Sequence, residues 1–351
     1  MENMGVIYGL GVIMGLVLIL PFTVRRIEEE LEAFLLVMGT LAVTIGGLWS
    51  RDLVHEALVE PIKITCAVLG FGLLFRWGRN AIHDHVNQWA EGMGERTFVF
   101  FLIVMLGLLS SVITAIMAAL VLVEVISGLN WDNNRERTIV ILTCYSIGLG
   151  AVLTPVGEPL STIATAKLSG EPYHAGFFFL FSRLWEWVVG GILALGAIGA
   201  VLAGRGVHTE DSLTEDHAET VRDIFIRAGK VYIFVAALVF LGHGFIVVVD
   251  RYLIQMDKGV LFWANSVSAI LDNATLAAAE ISPRMTLARI DFLLIGLLIA
   301  GGMLIPGNIP NIICAGKLNI KSGEWAKFGV PLGLVLMMIY FVLMELAIRG
   351  L

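Results

Sequence analysis

The residues of this sequence best suited to ion chemistry lie inside long apolar runs, beside paired prolines or small residues. Glu158 lies within the Pro-x-x-x-Pro core of LTPVGEPLSTIATAK, and Asn308 lies within the same core of LIPGNIPNIICAGK. Asp272 and Asn273 are adjacent in SAILDNATLAAAEISP. Carboxylate and amide oxygens are the ligands that a hard cation prefers, and a carboxylate can also bind a proton. These residue types predict the binding of a small cation or a proton.

Asp272 and Glu158 are the two acidic residues that the apolar pattern places at mid-membrane within these stretches. An ionised Asp costs about 2.5–3.5 kcal/mol at the centre of a membrane helix, so such a group is either functional or neutralised. A proton and a bound cation both neutralise it, and a group that exchanges them is a coupling site for antiport or symport. No Lys or Arg adjoins either residue in the sequence.

The proline pairs predict two interrupted helices. Proline removes a backbone donor and clashes with the preceding turn, which leaves N–H and C=O groups unpaired. In hydrocarbon each such group costs several kcal/mol, so the interruption persists only where protein, water or a ligand satisfies it. A single kink would fit a packing role. Two matched kinks, each accompanied by a polar hairpin tip, favour a transport site.

The composition predicts an all-α integral membrane protein. The 351 residues are 58% apolar and 15% charged, far outside globular usage. Apolar runs of helical length, without the alternating strands of a barrel, favour helices. No metal-ligand cluster or activated nucleophile is present among the membrane residues, so we expect no enzymatic activity and no cofactor. No nucleic-acid partner is expected, and no ATP-binding loop indicates direct ATP drive.

The elements to be positioned are about eight transmembrane helices and two re-entrant hairpins, in a single transporter domain. Hairpin and proline-broken helix follow each other twice. Three crossings separate the hairpins, which predicts an inverted-topology repeat with discontinuous helices. The predicted parts are an N-terminal helical pair (5–58), repeat 1 (60–203, hairpin 97–126, broken helix 138–168), a cytoplasmic loop (204–227) and repeat 2 (228–351, hairpin 258–281, broken helix 289–317).

Two features of this topology rest on weaker patterns. Each hairpin segment could instead be one tilted helix whose Ser and Thr residues bond to their own backbone. Lys and Arg are more numerous in the loops assigned to one face, which the positive-inside rule makes cytoplasmic. The prediction is a multi-pass protein of the cell membrane with both termini outside.

The quoted motifs resemble those of the ion transporter superfamily. SSVIT and SAILDNAT stand at the hairpin tips, and LTPVGEP and LIPGNIPN stand at the breaks. The second tip is most similar to NhaD-type sodium/proton antiporters, and the chain looks closest to a compact branch described as cation transporters. The resemblance covers about residues 97–351.

The resemblance implies roles for particular residues. Asp272 and Asn273 are implied as ion-site residues, and Thr154, Gly157, Asn308 and Asn311 as broken-helix contacts. It also implies a homodimer. The paired Ser-Asn-Thr signatures of the dicarboxylate branch are missing, and Asp272 would repel an anionic substrate. The first tip lacks an acidic residue, and Glu158 is our own positional candidate for the second carboxylate.

The sequence therefore predicts a secondary transporter of a monovalent cation, with sodium exchanged for protons by alternating access. A sodium-coupled symporter of a small anion or carboxylate is the alternative, and an accessory role in a larger complex stays open. Sodium and protons are the transported ions, the lipid bilayer is the surrounding partner, and Asp272 and Asn273 are the sodium ligands. The full predicted ion-binding or substrate-binding set is Asp272, Asn273, Glu158, Thr154, Gly157, Asn308, Asn311, Ser111, Thr114 and Ser268.

Overall fold

A computed structural model of the chain has helices and no strand among the residues that it describes. The structure describes residues 4–24, 26–27, 30–59, 61–62, 65–66, 69–70, 73, 92–129, 131–203, 221–248, 256–271 and 273–350. The predicted all-α class is confirmed.

The helices are numbered in chain order, with two 3-10 turns between them and further helical residues at 51–59. They are α1 (Met4–Thr23), α2 (Leu31–Gly46), α3 (Glu95–Ile113), α4 (Ala115–Ser127), α5 (Asn133–Ala151), α6 (Pro159–Lys167), α7 (Phe179–Ala203), α8 (Val221–Val248), α9 (Lys258–Ala264), the 3-10 turn Asn265–Ala269, α10 (Asn273–Glu280), α11 (Leu287–Gly301), the 3-10 turn Ile305–Gly307, α12 (Ile309–Lys317) and α13 (Ser322–Ile348).

Several of these helices have the length and composition of membrane helices. Among the described residues, four are long and apolar enough to cross a bilayer: Glu95–Ile113, Phe179–Ala203, Ile224–Val248 and Ser322–Ile348. Shorter apolar helices are Gly5–Pro21, Leu31–Gly46 and Ala115–Ser127. These helices indicate a protein embedded in a membrane.

The chain divides into two compact units. Unit 1 contains Met1–Cys66, Ala228–Asn308 and Lys321–Leu351, and unit 2 contains Ala67–Arg227 and Ile309–Ile320. The chain therefore passes from unit 1 to unit 2 inside the second proline pair. The two halves of the second broken helix belong to different units.

In unit 1, α2 and α8 run parallel and pack closely. Lys230 Nζ lies 2.6 Å from Glu32 Oε1, near the start of α2 and in the third turn of α8. About two turns later Gly39 meets the backbone of Ala237, and further along Gly244 meets Ala42. Small residues let the two backbones approach each other, as is common between helices in membranes.

The second half of unit 1 contains a helical hairpin. Lys258 Nζ lies 4.7 Å from the centre of the Phe292 ring, and Ser268 Oγ donates a hydrogen bond to Leu297 O at 3.0 Å. Lys258, at the start of α9, thus contacts α11 near its beginning, and Ser268, further along the chain, contacts α11 nearer its end. Helices α9 and α11 therefore run in the same direction. The chain must return between them, and α10 is the returning arm.

Unit 2 contains a hairpin of the same kind. Arg135 Nη2 pairs with Glu95 Oε2 at 2.7 Å, which places the starts of α3 and α5 side by side. Further along, Ser146 Oγ donates to Ile103 O at 2.9 Å, so α3 and α5 are parallel. Helix α4 is the returning arm between them.

One boundary differs from the predicted one. Helix α8 begins at Val221, inside the stretch 204–227 that the sequence predicts to be a loop. The stretch VRDIFIRAGK alternates apolar and charged residues at helical spacing, so the helix continues beyond its apolar part. Residues 204–220 of the predicted loop lie outside the described residues.

Candidate functional site

The first hairpin turns at Thr114, between α3 and α4. Its backbone angles are φ 76° and ψ 150°, a region that glycine adopts readily and a β-branched residue rarely. The Thr114 hydroxyl accepts a hydrogen bond from Met117 N at 3.3 Å and so caps α4. Backbone strain of this kind is concentrated at functional sites, where the surrounding structure enforces it.

The interruption between α5 and α6 meets this tip. Ala115 N, the first amide of α4, donates to Gly157 O at 2.8 Å. The Thr154 hydroxyl donates to Ser111 O on the last turn of α3. The structure therefore brings four predicted residues together in unit 2: Ser111, Thr114, Thr154 and Gly157.

Hydroxyl groups satisfy the carbonyls that the interruption exposes. Ser161 Oγ donates to both Thr154 O and Glu158 O at 2.7 Å. The Thr162 hydroxyl donates to Pro155 O. The Thr162 bond replaces the helical amide bond that Pro159 cannot make, whereas Thr154 O and Glu158 O also accept bonds from the amides of Gly157 and Thr162. The hydroxyls therefore add to the bonds that stabilise the interruption. Their oxygens keep lone pairs that can face an ion.

Glu158 lies at the N-terminal end of α6 and is buried. The residue is 6% exposed, and its backbone is extended at φ −157° and ψ 163°. Proline follows at the first helical position, where its missing N–H costs nothing. A helix N-terminus carries partial positive charge, which stabilises a carboxylate at this place.

Helix α12 belongs to the same unit and runs parallel to α4. Cys314 Sγ lies 3.8 Å from Ala119 O, and Lys317 Nζ pairs with Glu124 Oε1 further along. One turn before Cys314, the fully buried Asn311 lies at the level of the first turn of α4. The N-termini of α4, α6 and α12 are thus near one level in unit 2.

A close glycine contact fixes the height of the first interruption. Gly150 lies so near α3 that a methyl group there would overlap the carbonyl oxygen of Gly107. Ser110 Oγ donates to Gly107 O at 2.7 Å and to Ile147 O at 3.0 Å, joining the same two helices. The end of α5 is thereby held against the last turns before the tip.

The second interruption is built from glycines in unit 1. A Cβ at Gly307 would lie 2.5 Å from Gly301 O and 2.8 Å from Ser268 O, so both carbonyls crowd this position. Trp325 Nε1 donates to Gly302 O at 3.1 Å, which satisfies one carbonyl of the interruption. The second interruption therefore meets the 3-10 turn of the second hairpin, as the first meets Thr114.

Two predicted amides lie at this place. Asn273 begins α10, is 3% exposed, and its Nδ2 has no hydrogen-bond partner. A Cβ on Gly301 would lie 3.6 Å from that atom, so Asn273 faces the interruption. Asn308 is 5% exposed and has an extended backbone. Asp272 lies outside the described residues.

A family model matches nearly the whole chain. The family model described as "Protein of unknown function (DUF1646)" matches residues 7–347. The chain belongs to the DUF1646 family. The match includes both hairpins and both interruptions, so these are parts of the DUF1646 domain. No curated protein matches the chain.

The ion-binding set predicted from the sequence of the DUF1646 chain includes neither Asn265 nor Glu280, although Asn265 stands among the polar residues at the middle of the second hairpin. Glu280 reads as the outer end of a hairpin arm, where a carboxylate reaches the membrane interface. In the structure it is 1% exposed, and Asn265 is 0% exposed. The sequence carries one signal that these two residues meet. Asn265 and Glu280 are nearly equally far from Asp272 along the chain, and a hairpin brings together positions that are equally far from its tip.

The strained tip of the DUF1646 chain leads to a prediction about stability. Replacing Thr114 by Ala removes the cap and keeps a Cβ at positive φ, whereas Gly removes both the cap and the strain. We expect Thr114→Gly to be more stable than Thr114→Ala by about 1–2 kcal/mol. Thermal unfolding of the two variants in detergent measures the difference. Equal stability, or a more stable Ala variant, would contradict the positive φ.

Proposed function

We propose that the protein is a secondary active transporter that exchanges sodium for protons by alternating access. The observation that carries the proposal is the meeting of an interrupted helix with a hairpin tip in unit 2. The bond from Ala115 N to Gly157 O joins them, and the buried Glu158 adjoins Gly157. Half-helix ends with oxygen ligands are how many transporters hold ions at mid-membrane.

The lengths of the two arms support a re-entrant hairpin. Helix α3 has 19 residues and α4 has 13 residues. At about 1.5 Å per residue they extend about 28 Å and 20 Å, against a hydrocarbon core of about 30 Å. In this proposal α4 returns to the membrane surface from which α3 starts, and its length of about 20 Å leaves Thr114 within the core. Helix α3 by itself has the length of a crossing.

Unit 1 holds the residues proposed to bind the cation most directly. Ser268, Asn273 and Asn308 are all buried around the second hairpin and the second interruption. Asp272 precedes Asn273 in the sequence. In this proposal Asp272 binds sodium and a proton alternately, and Glu158 is a second titrating group. The amide and hydroxyl oxygens complete the sodium ligands.

The proposed topology follows from both hairpins. Eight crossings and two re-entrant hairpins, related as inverted repeats, place both termini outside the cell membrane. A homodimer is part of the same proposal. The parallel pairs α3 with α5 and α9 with α11, each enclosing a returning arm, support two repeats of one plan.

A flux screen in proteoliposomes tests the function. The purified protein is reconstituted with a pH-sensitive dye inside, a pH gradient is imposed, and sodium, lithium or potassium is added outside. We expect sodium to dissipate the gradient in protein-containing vesicles and not in empty ones.

A lack of response to every cation would contradict cation/proton exchange. The same vesicles would then be tested for sodium-dependent uptake of labelled small carboxylates, which is the activity of the alternative symporter. Such uptake without any cation-driven proton movement would replace the antiport proposal.

A further inference from the structure

Two buried polar side chains of unit 1 have no hydrogen-bond partner among the described residues and no role in the proposed sodium site. Both carboxylate oxygens of Glu280 are without one, as are both amide atoms of Asn265. Glu280 is 1% exposed and Asn265 is 0% exposed. Buried polar groups are nearly always hydrogen-bonded, so each such exception needs a physical reason.

The hairpin brings these two residues together. Asn265 follows the last residue of α9, and Glu280 is the last residue of the returning arm α10. Their side chains lie close enough to interact, although no hydrogen bond has formed between them. An amide and a carboxyl group that face each other without bonding can form a bond as soon as one of them changes its protonation or orientation.

The charges around Glu280 come from α11. Arg289 acts on the Glu280 carboxyl electrostatically and favours its ionised form. Asp291, on the same helix, is 8% exposed and has interactions of its own. The 3-10 turn NSVSA that packs against α10 contains no ionisable side chain. Glu280 is therefore a buried carboxyl group with a basic residue, Arg289, within electrostatic reach.

We propose that Glu280 is a proton-binding site and that Asn265 is the partner for both of its protonation states. The protonated carboxyl donates its O–H to Asn265 Oδ1. After the proton leaves, the carboxylate accepts a hydrogen bond from Asn265 Nδ2 when the amide has turned about its last side-chain bond. An amide is the side chain suited to this task because it offers a donor and an acceptor at the same place.

The site is separate from the predicted sodium ligands. Glu280 lies at the opposite end of α10 from Asn273. As a step in transport, the inference rests on the proposed sodium/proton exchange. Proton binding by Glu280 is a property of the folded chain, and it can be measured without sodium and without transport.

Infrared difference spectroscopy tests the inference directly. The full-length protein in sodium-free lipid nanodiscs is compared between mildly acidic and mildly alkaline buffer. We expect the C=O band of a protonated carboxyl group to be present in acid and lost in alkali. The isosteric Glu280→Gln variant should lose the Glu280 component of this band and keep the components of Asp272 and Glu158, which are themselves proposed to bind protons.

Glu345→Gln is the matched control. Glu345 pairs with Lys258 Nζ at 2.6 Å and lies 3.9 Å from Arg349 Nε, away from Asn265 and Glu280 in the sequence, and we expect the variant to retain the whole band. Asn265→Leu removes the amide while preserving bulk. Because hydrogen bonds to an ionised group are the stronger ones, this change should move the midpoint of the band upward by about one pH unit.

The outcomes separate the inference from the proposed function. A wild-type spectrum without the band, or a band in Glu280→Gln that is identical to the wild-type band, overturns proton binding by Glu280. An unchanged midpoint in Asn265→Leu overturns the role of the amide. A pH-dependent Glu280 band in a protein that fails the flux screen leaves proton binding standing and rejects only the antiport proposal.

Discussion

Replacing Gly150 by alanine is expected to destabilise the protein more than any other single methyl addition considered in unit 2. The new Cβ would overlap the backbone oxygen of Gly107 and would approach Ser110 Oγ to 2.8 Å. A backbone atom cannot rotate away as a flexible side chain can, so α3 and α5 must separate. Overpacking of this kind costs about 1–3 kcal/mol and occasionally more.

The consequence extends from stability to the candidate site. Separating α3 from α5 would break the hydrogen bond from Ser110 Oγ on α3 to Ile147 O on α5. It would also pull the first interruption away from the hairpin tip. We expect Gly150→Ala to lower the apparent melting temperature in detergent by about 5 °C or more. Sodium flux should fall even in the fraction that remains folded.

Gly190→Ala is the matched control for this substitution. Gly190 lies on α7, and a Cβ added there would have no atom within 4 Å. Alanine has the higher helix propensity, so this variant should unfold at the same temperature as the wild type or slightly above it. Equal melting temperatures for Gly150→Ala and the wild type would contradict the contact between Gly150 and Gly107.

The positions of the interruptions could be predicted from sequence because proline acts locally. A Pro-x-x-x-Pro pair stops helical hydrogen bonding wherever the rest of the chain lies. Helix α5 ends at Ala151, and α6 begins at Pro159, the second proline of its pair. Helix class was equally predictable, since apolar runs in a membrane leave the backbone few alternatives.

The partners of these elements could not be predicted from the sequence, because they depend on contacts between distant segments. The hydroxyl of Thr154 reads as a free oxygen ligand in the sequence. In the structure it donates to Ser111 O, a contact set by the path of the interruption. Glu280 reads as an interfacial residue, and only the fold of the hairpin places it beside Asn265.

The two carboxylates of the proposed transport site should have the largest effect on flux. Asp272→Asn and Glu158→Gln preserve the size of each side chain and remove its ability to bind a proton. A charge-assisted contact contributes about 1.5–3 kcal/mol, which corresponds to about a 10- to 100-fold change in affinity. We therefore expect Asp272→Asn to abolish proton-driven sodium flux at low sodium concentration. Glu158→Gln should reduce the flux and flatten its dependence on pH.

Comparing the flux of these variants shows whether the carboxylate that titrates during transport lies in repeat 1, in repeat 2 or in both. Glu171→Gln, at an exposed loop position, is the control and should transport like the wild type. Wild-type flux in Asp272→Asn would remove Asp272 from the mechanism. A normal pH profile in Glu158→Gln, with flux lost in Asp272→Asn, would assign sodium-coupled titration to repeat 2. In that case the first interruption serves as architecture, and its buried carboxylate is stabilised by the N-terminus of α6 without exchanging protons.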